Sequence, residues 1–195
     1  MNKNIVRLNG NKCYLCAFRD DEEAMTKYMK WISDESIQMY LGRNGVVNSW
    51  ANEREFIKKD HEYYFNICIK MENDELKMIG NCDIKMMRRN RNAMLGIMIG
   101  DPKERERGYG TEVIALLVRY CFEELGMHNV ALQVNSLNER AQACYKKCGF
   151  KECGREREVT WSKGRWSDCI TMQILEQDYF ENLVTKEPYV SLPVI

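Results

Sequence analysis

The chain predicts a single domain of the α/β (α+β) class, and three observations carry that expectation. Its 195 residues suffice for one hydrophobic core and contain no interdomain linker, internal repeat or low-complexity segment. Three strand-like runs follow one another between residues 64 and 99, joined by short polar turns. Helix and strand patterns then alternate, and a strand pair closes the order.

Residues 12–18 read as the first strand. Asp20, Asp21, Glu22 and Glu23 then place acid at a helix start, where free amides and the helix dipole favour it. Ala24 or Met25, Tyr28 and Trp31 or Ile32 recur at helical spacing and should face the core. Residues 42–48 hold two glycines and two asparagines, a turn-rich stretch expected to be a mobile lip of a pocket, before a second helix at 53–59. Strands are expected at 64–70 and 77–86, linked by the polar turn Glu72, Asn73, Asp74 and Glu75, and at 94–99 after a second polar turn at 88–92. The charges of that second turn lack interleaved aromatic residues and read as a solvated loop, not a nucleic-acid footprint. A long helix from about 110 to 125 presents Val113, Leu117, Tyr120 or Cys121 and Leu125 on one face, and Gly126 stops it. A strand at 130–134, a helix at 138–148 closed by Gly149, and strands at 156–161 and 168–175 complete the order.

Composition narrows the function classes. Lys and Arg balance Asp and Glu at 29 each, so no whole-molecule field favours nucleic acid or an anionic membrane. Hydrophobic residues make up 45% of the chain but are scattered among 30% charged ones, without a run long enough to span a bilayer. Residues 1–10 have no apolar segment, so a reducing, cytoplasmic setting is expected. The 9 cysteines then act as small buried hydrophobes. Cys13 and Cys16 fall in a strand, where positions three apart face opposite sides, and His61 and His128 are distant in sequence, so no metal is expected.

The segment from the strand at 94–99 to Thr111 has the physics of a phosphate site. Amides at a helix start point outward, the helix dipole adds positive potential, and Gly108 and Gly110 let the main chain approach an anion. Arg105 and Arg107 add charge beside it. A P-loop would need Gly-Lys-Ser/Thr, which is absent. A dinucleotide fold prefers a third glycine where Val113 stands and an acid where Asn135 stands.

Arg105, Gly108 and Gly110 meet the pattern Arg/Gln-x-x-Gly-x-Gly/Ala, and a second motif follows in order: a strand ending near Asn135, residues 138–145, then Cys148-Gly149-Phe150. On these motifs the chain resembles the GNAT superfamily of N-acetyltransferases, most closely over residues 76–175. Within it, the acid-rich helix with Trp31 and the late hairpin at 161–168 resemble the branch of ribosomal-protein N-terminal and spermidine acetyltransferases. The resemblance implies a mixed, mostly antiparallel central sheet flanked by helices and splayed between its fourth and fifth strands. It also implies acetyl-CoA as cosubstrate. Main-chain groups of Ile97, Met98 and Ile99 would pair with the pantetheine arm, Arg105, Glu106, Arg107, Gly108, Tyr109, Gly110 and Thr111 would hold the pyrophosphate, and Asn138 and Ala141 would line the other side. Tyr145 matches the usual general acid, a phenol with an ordinary pKa of about 10. Many relatives carry a glutamate where Met94 stands; Asp83 and Glu35 are the candidates for the missing base.

The acceptor is expected to be a small-molecule or peptide amine, with no nucleic-acid or membrane partner. Trp31, Tyr40, Trp50, Trp161 and Trp166 would supply aromatic surface and Asp34, Glu35 and Asp168 negative charge, a wall suited to a cationic amine. A homodimer is expected from the resemblance and from the apolar stretch at 188–195.

Overall fold

The computed structural model describes residues 4–41, 46, 48–60 and 63–185. Most of the expected lip at 42–48, His61 and the apolar stretch at 188–195 lie outside the described residues.

Eight strands form one sheet in the order β1-β2-β3-β4-β5-β6-β8-β7. These are β1 (Val6–Asn9), β2 (Tyr14–Ala17), β3 (Tyr63–Lys70), β4 (Leu76–Met87), β5 (Asn92–Ile99), β6 (Asn129–Asn135), β7 (Lys151–Ser162) and β8 (Arg165–Leu175). All neighbours pair antiparallel except β5 and β6. The helices are α1 (Glu22–Ile32), α2 (Glu35–Leu41), α3 (Trp50–Asp60), α4 (Tyr109–Arg119), α5 (Glu139–Lys147) and α6 (Glu176–Thr185).

Local chemistry explains where these elements begin and end. The Asp21 carboxylate caps α1 by accepting from the Ala24 amide at 3.3 Å, and Ala24, Met25, Tyr28, Trp31 and Ile32 are all buried. Asp34 starts α2, its side chain accepting from Ser36 N at 2.8 Å. Helix α4 does not stop at Arg119: it widens into a π-helical turn over Tyr120–Glu124, and Gly126 at φ +61° ends it.

Core packs on both sheet faces. On one, Ile67, Ile79, Cys82, Ile84 and Leu95 meet Val113, Ile114 and Leu117 of α4 and Tyr145 of α5. On the other, Cys16, Cys68 and Met78 meet Ala24, Trp31 and Ile37, while Met25, Tyr28 and Ile32 enclose Ile57. Cys13, just ahead of β2, and Cys16 within it belong to separate core clusters. Among the described residues no group of His, Cys, Asp and Glu is arranged to hold a metal, and no helix is long and apolar enough to cross a membrane.

Three elements go beyond the sequence reading. Strand β1 is a short edge, α2 has only 7 residues, and α6 closes the described chain by stacking Tyr179 on Phe122 at 4.9 Å. The strand expected at 12–18 is the shorter β2, and the helix expected at 53–59 begins at Trp50.

Candidate active site

The parallel ladder between β5 and β6 is brief. Its register runs from Asn92↔Asn129 to Leu95↔Leu132 and stops there. Beyond that point β5 stays paired with β4 as far as Ile99↔Gly80, and β6 stays paired with β8 as far as Asn135↔Cys169, so the sheet opens between two intact halves. A cleft of about 210 Å³ lies at this opening. Ile97, Met98 and Ile99 of β5, the turn at Arg105, Glu106 and Gly108, Gly110 and Thr111 of α4, and Asn138, Ala141 and Tyr145 line it, with Tyr40 and its α2 neighbours Ser36, Ile37 and Leu41 on another side.

The turn before α4 has the conformation that the glycine pattern requires. Gly108 caps the helix at φ +87°, a conformation that costs any other residue roughly 1–2 kcal/mol. Glu106 is also left-handed, at φ +64°. The first amides of α4 have no partners within the helix or from a capping side chain, and Gly110 and Thr111 of this first turn line the cleft.

The expected cations are arranged differently from the sequence reading. Arg105 donates to the carbonyls of Ile99 at 3.0 Å and Gly100 at 3.1 Å and reaches Ser36 Oγ at 3.3 Å. Its guanidinium thus ties the end of β5 to α2. Arg107 does not line the cleft but pairs with Glu104 at 3.1 Å, and Glu106 pairs with Arg140 at 3.0 Å. Tyr109 also turns away and packs on the core. The cation nearest Gly108 is one that sequence reasoning missed: a Cβ at Gly108 would lie 3.2 Å from Lys12 Nζ. Glu112 brings Lys12 there, its carboxylate accepting from the Lys12 amide at 3.0 Å and from the Asn11 amide.

Helix α5 supplies the opposite wall. Asn138 caps it, its side-chain oxygen accepting from Ala141 N at 3.2 Å, and the residue also lines the cleft. Tyr145 is 8% exposed; burial is the largest cause pushing its phenol well above the ordinary value, so it is a neutral donor at neutral pH. Its hydroxyl has no hydrogen-bond partner among the described residues. Cys144, also missed, lines the cleft with its thiol 3.3 Å from Thr111 Oγ1, and a hydrogen bond from Cys148 lowers it.

The acceptor candidates separate into distinct places. Trp31 is a core residue: its ring fills the space that a Cβ on Gly100 would need. Glu35 is 84% exposed and meets Lys163 of the β7–β8 hairpin at 3.6 Å, outside the cleft lining. Asp83 sits on β4 directly opposite Gly96, also outside the lining. Asp34 and Asp168 have structural partners; Asp168 accepts from Glu158 N at 3.0 Å and Arg155 at 2.9 Å, and these bonds hold its carboxyl below the usual range. Trp161 and Trp166 are half exposed, with rings 5.1 Å apart, on the hairpin that reaches Glu35. Trp50 stacks under the Arg54 guanidinium at 5.6 Å.

Comparison with known proteins adds an independent line. A family model described as an acetyltransferase (GNAT) domain matches residues 13–151. An N-acetyltransferase 9-like protein of Caenorhabditis briggsae is 24% identical over 162 residues, covering 77% of this chain and 80% of that protein. YdaF of Bacillus subtilis (strain 168), whose name assigns it provisionally to ribosomal N-acetylation, is 32% identical over 91 residues, 46% of this chain and 49% of its own. Among solved structures, the spermidine N-acetyltransferase of Vibrio cholerae in complex with CoA and spermine superposes with a TM-score of 0.72 at 22% identity, covering 88% of this chain and 99% of that one.

Proposed function

The chain belongs to the GNAT acetyltransferase family, and from that premise we propose that it transfers the acetyl group of acetyl-CoA to a primary amine, with Tyr145 as general acid. The observation that carries the reading is the opening between β5 and β6, which places a free strand edge, a helix start and a buried phenol around one cleft. Residues 97–99 offer main-chain groups to the amides of a pantetheine arm, like a partner strand. The α4 start, with Lys12 beside it, suits a pyrophosphate. Asn138 and Ala141 close the far side.

The acceptor nitrogen must be neutral to attack the thioester carbonyl, and the departing thiolate needs a proton. Tyr145 can supply it because burial keeps the phenol protonated. Tyr40 lies in the cleft beside Ile37 and Leu41, and the exposed tryptophan pair of the hairpin extends the aromatic surface that an alkylammonium would meet. Peptide N-termini, polyamines and aminoglycosides share that chemistry. A homodimer is part of the same proposal; sedimentation showing only monomer at micromolar concentration would remove it.

The test is chromatographic detection of free coenzyme A from acetyl-CoA across a panel of peptides, polyamines, aminoglycosides and amino acids. Release with one amine class establishes enzyme and acceptor together. Tight acetyl-CoA binding without release from any amine overturns catalysis in favour of an acyl-CoA sensor.

A further inference from the structure

We infer that Cys144 is a thiol-modification site within the cleft, where a small anionic disulfide such as oxidised glutathione forms a mixed disulfide that closes the cleft to its cofactor. The consequence for the cofactor rests on the acetyl-CoA reading above; the thiol chemistry stands on geometry of its own.

Two thiols and one helix start meet here. Cys144 and Cys148 lie one turn apart on α5, with Cys148 capping its end. Both reach Thr111 in the first turn of α4: the Cys144 sulfur is 3.3 Å from Thr111 Oγ1, and the Cys148 thiol reaches the Thr111 carbonyl at 3.5 Å. A Cβ placed on Gly110 would meet the Cys144 sulfur at 4.0 Å. That sulfur therefore sits at the amide-rich, positive end of α4, a setting that favours a thiolate over a thiol. Hydrogen bonds from Cys148 and then from Thr111 hold Cys144 below the usual thiol range against the opposing effect of burial, and the contact with Cys144 keeps Cys148 protonated.

The other cysteines lack this combination. Cys13, Cys16, Cys68, Cys82 and Cys121 are sealed in the core, each at most 1% exposed. Cys169 is half-buried, and burial raises its thiol; Cys153 is exposed on β7, donating to the Thr171 carbonyl at 3.5 Å. Neither lines the cleft. Cys144 lines it and is half-buried, so a reagent that enters the cleft reaches it.

The surroundings select the reagent. Unpartnered amides open α4, Lys12 stands beside Gly108, and Arg140, paired with Glu106, lies one turn before Cys144 on the same face of α5 and lines the cleft. These groups suit the carboxylates of a peptide disulfide. The Cys144 thiol gives up its proton, its sulfur attacks one sulfur of the disulfide, the S–S bond breaks, and the departing thiolate takes up a proton. The oxidant is the disulfide itself. Cys148 does not resolve the adduct: residues four apart on a helix hold their Cβ atoms roughly 5–6 Å apart, beyond the roughly 3.5–4.5 Å that a disulfide spans. The mixed disulfide persists until a reductant removes it, and its bulk fills the space between α4 and α5 proposed for the cofactor.

The test treats the whole protein with oxidised glutathione, locates adducts by peptide mass spectrometry, and measures acetyl-CoA binding by calorimetry before treatment, after it and after reduction. We expect the adduct on Cys144, a loss of acetyl-CoA binding that reduction restores, and protection of Cys144 by acetyl-CoA added first. In Cys144→Ser the same treatment should no longer change the variant's own Kd. Cys148→Ala should slow adduct formation at Cys144 about threefold or more, because the thiolate loses a donor. Glutathione on Cys153 with Cys144 unmodified overturns the site, and a Cys144 adduct that leaves the Kd unchanged overturns the closure. If the untreated protein binds no acetyl-CoA, the cofactor reading fails, while the adduct at Cys144 and its dependence on Cys148 still decide the thiol site.

Discussion

The facing walls at residues 97–111 and 138–145 form one part of the cleft, and Tyr40 with its α2 neighbours forms another, beyond which Glu35 meets the β7–β8 hairpin outside the lining. The first part works largely through main chain: an unpaired strand edge, a glycine at φ +87° and the start of a helix. The second works through side chains, Tyr40 in the cleft and Trp161 with Trp166 outside it. Backbone recognition depends on conformation, which a few adjacent residues set. Side-chain recognition depends on segments that meet only after folding. A substitution in the first part should therefore abolish a step common to all acceptors, whereas one in the second should alter choice among them.

The sharpest break expected is Gly108→Asp. A carboxylate at that position would pair with Lys12 and occupy the place proposed for the pyrophosphate, on a backbone that L side chains rarely adopt, so acetyl-CoA binding should disappear by calorimetry while circular dichroism shows a folded chain. Next is Tyr145→Phe: transfer should fall about a hundredfold with acetyl-CoA affinity unchanged, and an unaltered rate would return Tyr145 to a packing role. Gly100→Ala probes the join between the two parts, because the new methyl meets the Trp31 ring; urea unfolding should show a loss of about 1–3 kcal/mol. The smallest effect belongs to Lys12→Ala, an exposed cation beside the proposed anion site. Its acetyl-CoA Kd should rise about threefold to fivefold at low salt, with the difference shrinking as salt is added.

The same contrast explains what could be read from the chain. The turn at Gly108 and Gly110 was legible because it rests on spacing within about one turn of helix, whereas Tyr145 stood out only through the resemblance of its motif to the family's. Helix α2 was not, since 7 residues are too few to display a helical period, though Asp34 ahead of Glu35 was an available start signal. Trp31 shows a different limit. An aromatic residue at helical spacing has the same pattern whether it faces a pocket or a core, and only its contact with Gly100, far along the chain, decides. Arg105 reads as a free cation until the end of β5 is placed beside it, when its guanidinium is seen to satisfy two carbonyls that the sheet leaves over. Lys12 was out of reach of any local motif, because a carboxylate 100 residues away holds its amide.

The early end of the β5–β6 ladder has a consequence for stability. With four registered pairs across that seam, β1 to β5 and β6 to β8 are two half-sheets joined otherwise by packed helices and by the bonds that Arg91 makes to His128, Gly126 and Glu176. A ligand bridging the seam would complete the sheet, so the folded state and the bound state are thermodynamically linked. At a ligand concentration one hundred times Kd the linkage amounts to about 2.7 kcal/mol, enough for the melting temperature to report how much of the thioester is present.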